Sequence, residues 1–107
     1  NDKEIKQLIN DANLLEKNGV FAIVLECVKT PIAKKITQNL NIPTIGIGSS
    51  VHCDGQVLVT DDLLGLNETK IKFVKKFLNI KKYIKEGVKR YASEVRSKKY
   101  PSKKHSY

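Results

Sequence analysis

Val20-Phe21-Ala22-Ile23-Val24-Leu25-Glu26-Cys27-Val28 puts one acid at the end of a six-residue run without charge. A short uncharged run rich in β-branched residues reads as a strand covered on both faces, as in a parallel α/β sheet. Such a strand has no ordinary place for a carboxylate, because a buried charge is costly unless paired. Glu26 is therefore expected at the strand's carboxyl end, where α/β proteins place their chemistry. Two readings stand at this point. A carboxylate held against apolar walls there is a candidate general base, and a carboxylate that has left the sheet is simply solvated.

Outward from this run the chain alternates helix and strand. Ile5, Leu8, Ile9, Ala12 and Leu15 recur at helical spacing, and Gly19 stands where a helix C-cap falls. Thr30-Pro31 predicts a helix start, with Thr30 as N-cap and the proline at the first helical position. Ile32, Ala33, Ile36 and Leu40 give that helix one apolar stripe. Pro43–Gly48 reads as a second strand, and Gln56–Thr60 as a third, closed by Asp61-Asp62-Leu63-Leu64-Gly65. Two more helical segments are expected, one around Phe73, Val74, Phe77 and Leu78 and one from Ile80 through Val95. The lysine-rich tail from Ser97 to Tyr107 reads as irregular.

This order implies βαβ units and a parallel sheet. Three such strands rarely stand alone, and the chain starts at Asn1 in the polar lead-in to a helix. The expectation is part of something larger, a fragment or the second half of a divided barrel. Side-chain alternation agrees with a barrel. Ala22, Val24 and Glu26 share one face of the first strand, and Thr44, Gly46 and Gly48 one face of the second. These smaller faces are expected to point into the barrel, with the glycines leaving room for a ligand near Glu26. The bulky faces, Phe21, Ile23 and Leu25 with Ile45 and Ile47, are expected under the outer helices.

Four stretches carry a family resemblance: Phe21–Val28, Ile42–Gly48, Cys53–Val59 and the tail Tyr100-Pro101 to His105-Ser106-Tyr107. In order and spacing, along essentially all 107 residues, the chain resembles the C-terminal part of ketopantoate hydroxymethyltransferase. The resemblance implies a (β/α)8 barrel of the phosphoenolpyruvate/pyruvate type, of which residues 1–107 are the last three β/α units and 97–107 a basic tail. It implies hydroxymethyl transfer from 5,10-methylenetetrahydrofolate to 3-methyl-2-oxobutanoate on the way to pantothenate and coenzyme A. It places the family's proton acceptor at Glu26. The family's Mg²⁺ and keto-acid ligands fall on earlier strands, so no metal residue is assigned here. Asp54, Asp61 and Asp62 read as solvated loop acids. The implied partners are the N-terminal half of the barrel and further copies in a homo-oligomer. The isolated chain is expected to be inactive.

Two departures from the family pattern stand out. Gly46-Ile47-Gly48-Ser49-Ser50 replaces a Gly-Ile-Gly-Ala-Gly-like run, and serine lacks glycine's access to positive φ, so a different loop path is expected. Asp61-Asp62 stands where relatives often carry His-Asp.

Rival readings fare less well. Gly46-Ile47-Gly48 follows a strand as a dinucleotide-binding turn does, but Val51 occupies the third glycine position. The formal charge is +9. Residues 1–54 are balanced, with six lysines against six acids, whereas residues 55–107 hold fourteen basic residues against five acids. A basic half with Tyr83, Tyr91 and Tyr100 raises a nucleic-acid-binding module as the alternative function. Eighteen lysines to two arginines favour a solvated helix face instead. Cys27 and Cys53 form no metal pattern and read as reduced thiols, and His52 and His105 as solvated. No signal peptide or membrane span is legible, since a span needs about 20 apolar residues. The cytoplasm is the expected compartment.

Overall fold

The computed structural model describes residues 2–107. They fall into two compact units, one running to Val59 with Lys70–Val74, the other comprising Thr60–Thr69 and Lys75–Tyr107. The first holds α1 (Asp2–Lys17), β1 (Ile23–Glu26), α2 (Thr30–Asn39), β2 (Thr44–Ile47) and β3 (Gly55–Gln56). Its three strands form one parallel sheet in the order β1-β2-β3. The α/β class and the parallel sheet are as expected.

Helix α1 stops by backbone chemistry that its sequence announces. Gly19 takes φ +84°, its N–H donates to the Glu16 carbonyl at 2.9 Å, and the Val20 N–H reaches the Leu15 carbonyl at 3.4 Å. This is a Schellman closure, which turns the chain into β1. At α2 the start differs from expectation. Lys29 occupies the N-cap position without a side-chain cap, and Thr30 and Pro31 lie inside the first turn. The Thr30 hydroxyl donates instead to the Ser49 carbonyl, at 3.3 Å.

The core lies between the sheet and these two helices. Ile23 and Leu25 pack with Ala12, Ala33, Ile36 and Cys53, all buried. Burial of the larger side chains, Ile23, Leu25 and Ile36, stabilises by about 1.5–3 kcal/mol each. Phe21, expected beside Ile23 and Leu25, precedes β1 and is 90% exposed.

The faces of β2 are the reverse of those expected from side-chain size. Ile23 pairs with Thr44 and Leu25 with Gly46, and paired residues in a parallel ladder share a face. Thr44 and Gly46 therefore lie on the helix side. Thr44 is fully buried, and its hydroxyl meets that of Thr37 on α2 at 2.8 Å. A hydroxyl partnered in this way can sit in a core. A Cβ on Gly46 would come within 2.9 Å of the Gln56 side chain and 3.2 Å of the Cys53 sulfur. The space beside Gly46 is thus filled by protein, not left for a ligand near Glu26. Ile45 and Ile47 share the open face with Val24 and Glu26.

β3 is shorter than Gln56–Thr60 predicts. Its pairing to β2 covers Gly55 and Gln56, with one further bond from the Val57 N–H to the Gly46 carbonyl. Val57 and Val59 are half-exposed, and among the described residues no strand pairs with the far side of β3. Thr60 instead opens a helix whose first turn holds Asp61 and Asp62, as the positive end of a helix favours.

The second unit contains α3 (Thr60–Leu64) and α4 (Ile80–Arg96). The helix expected around Phe73–Leu78 does not form. The Phe77 and Leu78 N–H groups donate to the Leu63 carbonyl, at 2.9 and 3.3 Å, so they are committed outside any local helix. α4 spans the segment expected and ends in a second Schellman closure: Lys98 has φ +54°, and its N–H and that of Lys99 donate to Val95 and Glu94. No residue of α4 is buried. Beyond it the tail is irregular, and Ser102 and His105 hydrogen-bond at 2.7 Å.

Candidate active site

Glu26 is the last residue of β1. Its side chain is exposed on the sheet face that α1 and α2 leave open, in register with Ile47 of β2. No hydrogen bond or ion pair to its carboxylate is found among the described residues. The next residue, Cys27, takes φ +54° while its N–H still donates to the Ile47 carbonyl at 2.9 Å. A non-glycine residue in this region is uncommon. It turns the chain out of the sheet immediately after the carboxylate.

The loops after β1 and β2 are tied together. The Ser49 hydroxyl donates to the Val28 carbonyl at 2.9 Å, and Thr30 donates back to the Ser49 carbonyl. Ser50 is buried; its hydroxyl accepts the His52 N–H, and its carbonyl accepts the Gln56 side-chain amide at 2.7 Å. Gly48 is the residue of this loop with positive φ, +61°, and a Cβ there would lie 2.5 Å from the Phe73 ring. Ser49 and Ser50 keep negative φ, so serine is compatible with the path this loop takes. Between the loops, at the carboxyl ends of β1 and β2, lies a groove of about 630 Å³ whose walls include Cys27, Lys29, Gly48, Ser50, Lys72 and Phe73.

Two of the loop acids have structural work that the sequence did not reveal. Asp54 accepts the Thr44 N–H at 2.8 Å and the Thr44 hydroxyl at 3.3 Å, holding the start of β2. Asp62 is buried and accepts from Asn67 and Thr69 at 3.2 and 3.1 Å. Asp62 is thus not a solvated acid, and Asp54, though exposed like Asp61, is tied to the start of β2. Glu16 acts in a similar way, accepting the Asn41 and Ile42 N–H groups ahead of β2 at 2.6 and 3.1 Å. The partners of Asp54 and Glu16 lie ten or more residues away, so no local motif marks them, whereas those of Asp62 are five and seven residues on. Among the described residues no three His, Cys, Asp or Glu side chains come together as a metal site. Cys27 and Cys53 are both free thiols, the first exposed and the second in the core. No helix among the described residues is long and apolar enough to cross a membrane.

A carboxylate at the end of a parallel strand, beside a groove formed by two strand-to-helix loops, is the layout of an α/β enzyme. The family model for ketopantoate hydroxymethyltransferase matches residues 1–103. The chain belongs to that family. It is similar to the 3-methyl-2-oxobutanoate hydroxymethyltransferase of Pelagibacter ubique (strain HTCC1062), with 56% identity over 97% of this chain and 40% of the relative. It is also similar to the enzymes of that name from Caldicellulosiruptor bescii, at 50% identity over 99% of this chain and 40% of the relative, and from Clostridium botulinum (strain 657), at 48% over 100% and 39%. The family resemblance read from the sequence is thereby confirmed. The chain spans about two fifths of the length of these curated relatives. Nothing in the comparisons supports the nucleic-acid alternative.

Proposed function

We propose that this chain is the carboxyl-terminal portion of a (β/α)8 barrel that transfers a hydroxymethyl group from 5,10-methylenetetrahydrofolate to 3-methyl-2-oxobutanoate, giving 2-dehydropantoate. Glu26 is the base. The observation that carries this reading is the position of Glu26: carboxyl end of a parallel strand, on the face the helices leave uncovered, with its carboxylate unengaged by the other described residues. In a barrel that face points inward and that end holds the chemistry. Glu26 removes the proton from C3 of the keto acid, and the C–H electron pair becomes the enolate. Water takes the methylene carbon from the folate: both of its C–N bonds break, N5 and N10 gain the two protons of water, and tetrahydrofolate leaves. The enolate carbon bonds to the carbon so released, which keeps the water oxygen, and the proton held by Glu26 goes to the resulting alkoxide.

Stabilising the enolate charge requires groups that this chain lacks. In the proposed enzyme the Mg²⁺ ligands and the keto-acid clamp belong to the remaining part of the barrel, and the assembled protein is a homo-oligomer. Asp54 and Asp62 are already committed to backbone and side-chain donors, which agrees with a metal held elsewhere.

The test uses a hybrid enzyme in which these 107 residues replace the matching segment of the Pelagibacter ubique relative. Glu26→Gln keeps the shape of the side chain and removes its basicity. It is expected to abolish deuterium exchange at C3 of 3-methyl-2-oxobutanoate while leaving keto-acid binding largely intact. Exchange near the unsubstituted rate would remove Glu26 from the role of base.

A further inference from the structure

The groove at the ends of β1 and β2 carries chemistry that proton abstraction does not use. At about 630 Å³ it is within the range of small-molecule sites. Lys29 and Lys72 are the charged residues on its walls, and no carboxylate is among the residues that line it. Neither lysine is ion-paired among the described residues. Of the nearby hydroxyls, Ser49 donates to Val28 and Thr30 to Ser49, and Ser50 is buried. The Phe73 side chain lies against Gly48, where any added side chain would collide with it, and forms an apolar wall. Two unpaired ammonium groups and an aromatic face, with few other free donors, suit a ligand that is aromatic at one point and multiply anionic at another.

Resting on the reaction assigned above, we propose that this groove holds the aminobenzoyl-glutamate portion of the folate. The benzoyl ring packs on Phe73, the glutamate carboxylates meet Lys29 and Lys72, and the one-carbon end is directed toward Glu26, the residue preceding Cys27 in the groove wall. Lys29 and Lys72 are thus specificity residues for the one-carbon donor, not for the keto acid.

The experiment compares the hybrid enzyme with its Lys29→Gln/Lys72→Gln variant, measuring KM for methylenetetrahydrofolate with one and with several glutamyl units. Solvent-exposed charge pairs are each worth up to about fivefold in affinity, so the double variant is expected to raise the folate KM about tenfold or more. The penalty grows with glutamyl number, the keto-acid KM is unmoved, and Lys29→Arg/Lys72→Arg restores most of the loss. A folate KM within about twofold of the parent, or a rise confined to the keto-acid KM, overturns the assignment. Deuterium exchange in the unsubstituted hybrid separates the two levels. With exchange present and the folate KM unchanged, only the groove assignment fails. With exchange absent, the reaction itself is misread, and the groove assignment falls with it.

Discussion

Around Glu26, single side chains do work far from their own place in the chain. Asp54 satisfies the Thr44 N–H and hydroxyl at the buried start of β2. Leaving such a donor unpaired costs about 1–3 kcal/mol, so Asp54→Ala is expected to lower the stability of the hybrid enzyme by that amount in urea titration. Asp54→Asn, which keeps one acceptor oxygen, is expected to lose less. Gly48 is constrained twice, by φ +61° and by the Phe73 ring. The left-handed conformation alone costs a residue with a Cβ about 1–2 kcal/mol. Gly48→Ala should therefore destabilise by at least that much, and by less in a Phe73→Ala background, where the collision is gone. Equal losses in both backgrounds would mean that the ring does not limit this position. Glu26 was legible because an acid breaking an apolar run is a local signal. Asp54 was not, since its partner Thr44 is set by the sheet, and Asp62 was not, since its partners Asn67 and Thr69 follow the helix at a spacing that no periodic motif marks.

At the level of elements, helical periodicity located α1, α2 and α4, and the stripe Ile32, Ala33, Ile36 and Leu40 is the one that meets the sheet. It failed at Phe73–Leu78, where the same spacing arises in a segment whose amide groups bond to Leu63. Side-chain size misplaced the faces of β2. Thr44 is small and polar, yet it is buried under α2 because Thr37 partners its hydroxyl. The length of β3 was overestimated because alternation of valines cannot supply a neighbouring strand. Near the start of α4, the hydrogen bond and charge of Lys81 hold the Glu68 carboxyl below its ordinary value of 4.5, with a smaller contribution from Lys76. A lowered folded-state value means that the stabilisation is present above the unfolded value and is lost as pH falls through the folded one. Both side chains are exposed, so salt weakens the pair. Lys81→Ala is expected to return the Glu68 titration midpoint upward to the ordinary range, as followed by NMR. A midpoint that stays low would assign the shift to another neighbour.

On the scale of the whole molecule, the chain presents surfaces that an α/β enzyme normally covers. Val24 on the open face of the sheet is 57% exposed, and along α4 Ile84, Val88, Tyr91 and Val95 are all exposed. In the proposed barrel the open face is closed by the strands contributed by the remaining polypeptide, which the relatives carry in the other three fifths of their length. The purified 107-residue chain is therefore expected to bind a hydrophobic dye and to self-associate in light scattering. A monomer with a sharp cooperative unfolding transition and no dye binding would show that these faces need no cover. Activity separates the two cases most directly. Folate-dependent formation of 2-dehydropantoate should be absent for the chain alone with Mg²⁺ added. It should return when the rest of the barrel is supplied, in cis or as a separate chain. Turnover by the 107-residue chain alone would contradict the partial-barrel account and require a complete site within these residues.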